Sequence, residues 1–149
     1  MSRRIPGRGE GVKVRKADID YSATTMLTFL ERNRSERIFD YPFGYSYPKN
    51  CCESVSLILT YLLEEKYELD NVRVFKGSKA CGYEHHFWVM VGDWIYDLTA
   101  HQFAGHDPKI GVLADPLFFS YPDWSVEQSR DFVDRACVIA AYRRGVIPF

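Results

Sequence analysis

The chain has 149 residues, 46% hydrophobic and 26% charged, with a formal net charge of −1. This is ordinary composition for one globular domain with a core that needs no disulfide or metal staple. The near-neutral balance argues against a nucleic-acid-binding surface spread over the whole protein.

Charge is concentrated at the start. Residues 1 to 16 carry Arg3, Arg4, Arg8, Lys13, Arg15 and Lys16 against the single acid Glu10, interspersed with Gly7, Gly9 and Gly11. That composition predicts a flexible basic arm over 1–16, followed by a single domain over 17–149. The arm lacks the apolar core of a secretory signal, and no later stretch is apolar for long enough to span a bilayer. The expected location is therefore the cytoplasm, or delivery by a secretion system without a cleavable signal.

Beyond the arm, Ala23, Met26, Leu27 and Leu30 recur at helical spacing and predict a helix from Tyr21 to Arg32. The stretch "DYPFGYSYPKN", rich in Pro, Gly and Tyr, reads as a loop. Asn50 and Glu53 form an Asn-x-x-Glu capping box, which starts a second helix at Cys51. From Val55 to Leu63 apolar residues surround that helix almost completely, as in a central, buried element.

Residues 72–75, "VRVF", predict a strand. Two aromatic and β-branched runs follow, Phe87 to Val91 and Trp94 to Leu98, joined by Gly92-Asp93 as a two-residue type II′ turn. "HDPKIGVLADP" reads as a loop and "LFFSY" as a short strand. A Ser-x-x-Gln box at Ser125 to Gln128 predicts a last helix, ending at Gly145.

The hairpin fixes a register. With Gly92 and Asp93 as the turn, His86, Trp88 and Met90 share one face with Ile95, Asp97 and Thr99, while His85 points away. His86 and Asp97 become diagonal cross-strand neighbours, close enough for a carboxylate to orient an imidazole. Cys52, in the first turn of the second helix, sits where the helix dipole favours a thiolate. Cys52, His86 and Asp97 therefore suit a nucleophile, a general base and an orienting acid. Cys51 is the competing thiol, about 100° away around the helix. Only Cys52 has Val55, Ser56 and Leu59 beneath it. Trp88, on the His86 face, is placed to keep water from the imidazole–carboxylate bond, and Thr99 and Gln102 to hold the loop after the second strand.

These segments resemble the papain-like and transglutaminase-like cysteine enzymes. In that superfamily the nucleophile opens a central helix with a small residue four positions on, here Cys52 and Ser56. The histidine begins a strand in a His-aromatic pattern, here His86-Phe87-Trp88, and the acid follows in an Asp-Pro-Thr-like pattern, here Asp97-Leu98-Thr99. "DLTAHQF" is also similar to the ending of a group of small bacterial papain-fold proteins that occur partly as effector or toxin domains. The likeness spans residues 46–103. Cys51 stands where the superfamily usually has Gly, Phe87 where it has Ala, and no glutamine lies just upstream of Cys52. The Cys52 backbone N–H, with Asn50 or Gln102, is left to stabilise an oxyanion.

The resemblance implies an α+β papain-like fold, with the nucleophile helix packed on an antiparallel sheet and helices at both ends of the chain. It implies acyl transfer from a protein or peptide amide, by a protease, amidase, deamidase or transglutaminase. It needs no cofactor, and its partners are the substrate and a cognate immunity or regulatory protein. The alternatives are a non-catalytic module gripping a partner through "YPFGYSY" with a vestigial triad, and a zinc protein. A zinc site would draw on Cys81, His85, His86, Asp97, His101 and His106, although none of these has an established metal-ligand spacing.

Overall fold

A computed structural model describes residues 13–40, 44, 46–80 and 83–149. Four α-helices and a five-stranded antiparallel sheet make an α+β fold among these residues. The elements are α1 (Lys16–Glu36), α2 (Cys52–Tyr67), β1 (Val72–Ser78), β2 (His85–Val91), β3 (Trp94–Asp97), β4 (Lys109–Val112), α3 (Pro116–Phe119), β5 (Asp123–Glu127) and α4 (Arg135–Arg143), with one 3₁₀ turn at Ala100–Gln102. No helix among the described residues is long and apolar enough to cross a membrane.

The strand order is β4-β3-β2-β1-β5, which puts β2 in the middle. Helix α2 packs across β1 and β2. Its Ile58, Leu59, Leu62 and Leu63 are almost wholly buried with Met26 and Leu30 of α1 and with Val72, Val89 and Val91 of the sheet. Each such side chain contributes about 2 kcal/mol of burial. The opposite face of the sheet is covered by Phe75, Trp88, Ile95, Ala100, Leu117 and Tyr121. Strand β2 is thus sandwiched, and that is why its side chains are apolar on both faces rather than alternating.

The hairpin register is as expected: Val91 pairs with Trp94, Met90 with Ile95 and Val89 with Tyr96. Gly92 has φ of +59° and Asp93 is not in the left-handed region, the combination a type II′ turn requires.

Other expectations need correction. Helix α1 is longer at both ends than Tyr21–Arg32, and Lys16, assigned to the arm, opens it. Its buried stripe runs Ile19, Ala23, Met26, Phe29, Leu30 and Asn33, ending on a polar residue. That asparagine closes the helix through bonds to both the N–H and the C=O of Phe39. The loop read over 106–116 contains β4, and "LFFSY" holds α3 instead of a strand. Asp115 caps α3 by accepting from the Leu117 N–H at 3.0 Å, with Pro116 as the first helical residue.

The Ser125–Gln128 box does not start a helix. Residues 123–127 form β5, paired antiparallel with β1, and α4 covers only Arg135–Arg143. Trp124 stacks on Phe75 and Val126 packs on the same cluster, so pairing with the open edge of β1 outweighs the local capping signal.

Gly77 in β1 lies opposite both His86 of β2 and Trp124 of β5. A Cβ there would come within 2.7 Å of the Trp88 ring and of Tyr121 Cβ. Gly77→Ala is expected to cost about 1–3 kcal/mol through overpacking. Thermal unfolding measures it, and an unchanged midpoint would contradict the tight seat described here.

Candidate active site

Three elements converge at one end of the sheet: the first turn of α2, the start of β2 and the end of β3. The loop before α2 is drawn there by Tyr47, a fully buried side chain whose hydroxyl donates to the Leu98 carbonyl, one residue beyond Asp97. The helix itself begins one residue later than the capping box implies. Asn50 has φ of +60° and an exposed side chain, Cys51 is the N-cap, and Cys52 is the first helical residue. The Asn50 side chain therefore makes no cap, and the Cys51 carbonyl accepts from the Val55 N–H at 2.9 Å. As first residue of the helix, Cys52 presents a backbone N–H with no partner inside it.

His86 and Asp97 meet as the register requires. His86 Nε2 donates to Asp97 Oδ2 at 2.6 Å, with the two side chains 0% and 1% exposed. The other carboxylate oxygen, Oδ1, accepts from the Thr99 N–H at 3.1 Å and from the Thr99 hydroxyl at 3.2 Å. Thr99 thus fixes the acid directly, and its carbonyl also holds the turn that follows by accepting from the Gln102 N–H at 3.0 Å. With Nε2 committed to Asp97, the ring turns Nδ1 the other way. Nδ1 is buried and makes no hydrogen bond of ordinary geometry, while the Cys52 side chain interacts with the ring closely enough to raise its pKa.

The charge state of the ring follows from competing influences. Burial, the largest, disfavours the imidazolium. The hydrogen bond to Asp97, the contact with Cys52 and the charges of both outweigh it, and the His86 pKa is pushed up to about 9. Cys51 lies in a different setting. It is 5% exposed, and burial, then its neighbour Cys52, pushes its thiol up to about 12. At neutral pH Cys51 is a protonated core thiol, whereas Cys52 is half-buried at the helix end.

Around the imidazole stands a wall of rings. Phe103 meets it edge-on at 5.0 Å between centroids, Tyr121 lies at 5.8 Å and Trp88 at 5.9 Å. Trp88 is where the sequence put it. Phe103 and Tyr121 were missed as site residues, Tyr121 because nothing local marks a tyrosine so far along the chain from His86. Gln102 lies in the turn beside Phe103, and its side-chain Nε2 is buried without a hydrogen-bond partner.

The residues weighed for zinc are dispersed. His85 is exposed and bonded to Ser78 Oγ at 2.7 Å, His101 pairs with Glu31 at 2.9 Å, and His106 faces Asp115 at 3.7 Å. Cys81 lies outside the described residues, as do Tyr41, Pro42, Phe43 and Tyr45 of the aromatic loop and residues 1–12 of the arm. Among the described residues no three His, Cys, Asp or Glu side chains converge as metal ligands.

No family model matches this chain, and neither does any curated protein or any solved structure.

Proposed function

We propose that this chain is a cysteine-dependent acyl-transfer enzyme of papain-like fold, acting on a protein or peptide amide. The observation that carries the reading is the buried His86–Asp97 pair, whose free ring nitrogen is left for the thiol at the head of α2.

Cys52 Sγ attacks the carbonyl carbon, as the thiolate of a thiolate–imidazolium pair. The negative charge that develops on the carbonyl oxygen is met by the Cys52 N–H and by the side-chain amide of Gln102, whose Nε2 is buried without a partner; the other candidate, Asn50, is exposed. His86 gives its Nδ1 proton to the departing amine, which leaves a thioester on Cys52. An acceptor then loses a proton to Nδ1 as it attacks that thioester and frees the sulfur. Water as acceptor gives hydrolysis or deamidation, and an amine gives transfer. Asp97, held by Thr99, keeps the ring oriented and the Nε2–H tautomer in place throughout.

One observation favours the rival reading, a papain-like binding module without activity. His86 is wholly buried among aromatic rings, and its Nδ1 has no exposed surface for an acceptor to meet. The bacterial effector or toxin setting, with a protein substrate and a regulatory partner, belongs to the same proposal and stands on the sequence resemblance.

Iodoacetamide labelling near pH 6 followed by intact mass separates the two readings. In a Cys81→Ser, Cys137→Ser background the protein is expected to take one label quickly. Cys51→Ala is expected to leave that label in place, and Cys52→Ala to abolish it. Labelling lost with Cys51→Ala, or slow labelling throughout, overturns the proposal.

A further inference from the structure

Tyr121 is tied to the site at three points. Its ring packs on His86 with 5.8 Å between centroids. Its Cβ rests on the β1 backbone at Gly77, the residue paired with His86, where a methyl group would come within 2.7 Å of it. Its hydroxyl donates to Glu84 Oε2 at 2.8 Å. Glu84 immediately precedes β2 and is itself held, its carbonyl accepting from the Lys79 N–H at 3.0 Å and its carboxylate 3.5 Å from Lys79 Nζ. Tyr121 is 1% exposed, whereas Glu84 is at the surface. One bond therefore fastens the segment after α3, which roofs the imidazole, to the strand end that carries it.

We propose that Tyr121 and Glu84 are a positioning pair for His86, and that their hydrogen bond keeps the ring seated between Asp97 and Cys52. The inference rests on reading these three residues as one Cys-His-Asp centre. The titratable groups facing the ring among the described residues are Asp97 from β3, Cys52 from α2 and Tyr121 itself; Trp88 and Phe103 supply uncharged walls. The Tyr121 hydroxyl holds the Glu84 carboxyl below its ordinary range, so the acceptor stays ionised. With the clasp open, water reaches the ring. Burial and the charge contacts both weaken, and His86 drifts back toward the value of a free histidine.

The test is the His86 ring titration by NMR in the full-length wild type, Tyr121→Phe, Glu84→Ala, Glu84→Gln and the Tyr121→Phe/Glu84→Ala double variant, with thermal unfolding and Cys52 labelling on the same samples. Tyr121→Phe and Glu84→Ala are expected to lower the His86 midpoint by about one unit or more, toward the ordinary value of about 6.5. The double variant falls no further, because both changes break one bond. Glu84→Gln keeps a carbonyl to accept from the hydroxyl, and so stays near wild type. Lowered unfolding temperatures with an unmoved His86 midpoint would overturn the inference and leave the bond a clamp for the fold alone. Slow labelling of wild-type Cys52 together with the midpoint pattern just described would defeat the proposed enzyme while upholding the pair.

Discussion

Replacing His86 by Gln or Ala is expected to slow alkylation of Cys52 near pH 6 by about thirty-fold. An ordinary thiol with a pKa of about 8.5 is roughly 0.3% thiolate at that pH, while a thiolate paired with an imidazolium is nearly complete, a difference of about three-hundred-fold. Part of it is offset because a less basic thiolate is a weaker nucleophile. The head of α2 also continues to favour negative charge when the imidazole is gone. His86→Gln fills most of the space and offers its amide N–H to Asp97, so this variant keeps the fold and isolates the chemistry. The rates of wild type and variant should converge as the pH approaches about 9, where an ordinary thiol ionises unaided. Equal rates near pH 6 would mean that the imidazole does nothing for the sulfur.

Asp97→Ala is expected to be the most damaging single change to stability, costing about 3–5 kcal/mol. It removes the partner of a histidine with no exposed surface and leaves both Thr99 donors without their acceptor. In a domain of this length that lowers the unfolding midpoint by about 10 °C. The pH dependence carries the signature. The His86 pKa is raised from 6.5 to about 9, so the folded state holds its proton more tightly than the unfolded chain. The resulting stabilisation, about 3 kcal/mol at most, is fully present below about pH 6.5 and is lost as the pH rises through about 9. Wild type should therefore lose stability between those limits, and Asp97→Ala should lose far less. Asp97→Asn keeps the shape and one acceptor, so it should retain more stability than Asp97→Ala while still slowing Cys52 alkylation near pH 6. Chemical denaturation across that pH range measures all three proteins. A wild-type curve flat from pH 6.5 to 9 would show that the buried pair is not an ion pair.

The features legible in the sequence are local and periodic ones. A two-residue turn at Gly92-Asp93 sets the parity of every residue on both flanking strands, so the His86–Asp97 meeting followed from the turn alone. The apolar girth of α2 announced its central place in the same way. The failures share a cause, which is that distant parts of the chain decided the outcome. Ser125 and Gln128 offered a good helix start, yet Trp124 and Val126 gain more by pairing with β1 and covering Phe75. The ends of α1 were hidden because Asn33 is a buried polar residue and Ile19 is a lone apolar residue between Asp18 and Asp20. Asn50 looked like a cap, but its left-handed backbone passes that position to Cys51 and leaves Cys52 first in the helix. Asp115-Pro116 carried the signal for α3, which the apolar run after it obscured. Tyr121 and Glu84 had no sequence signal, since only the folded segment after α3 brings them to His86.

Thiolate absorbance near pH 6, taken as wild type minus Cys52→Ala, tests the central claim most directly. The proposed mechanism predicts a clear difference signal in wild type, reduced to a small fraction when His86→Gln is the parent. A difference close to zero in wild type would mean that the sulfur and the ring share no proton, and would leave the His86–Asp97 pair a feature of the core alone.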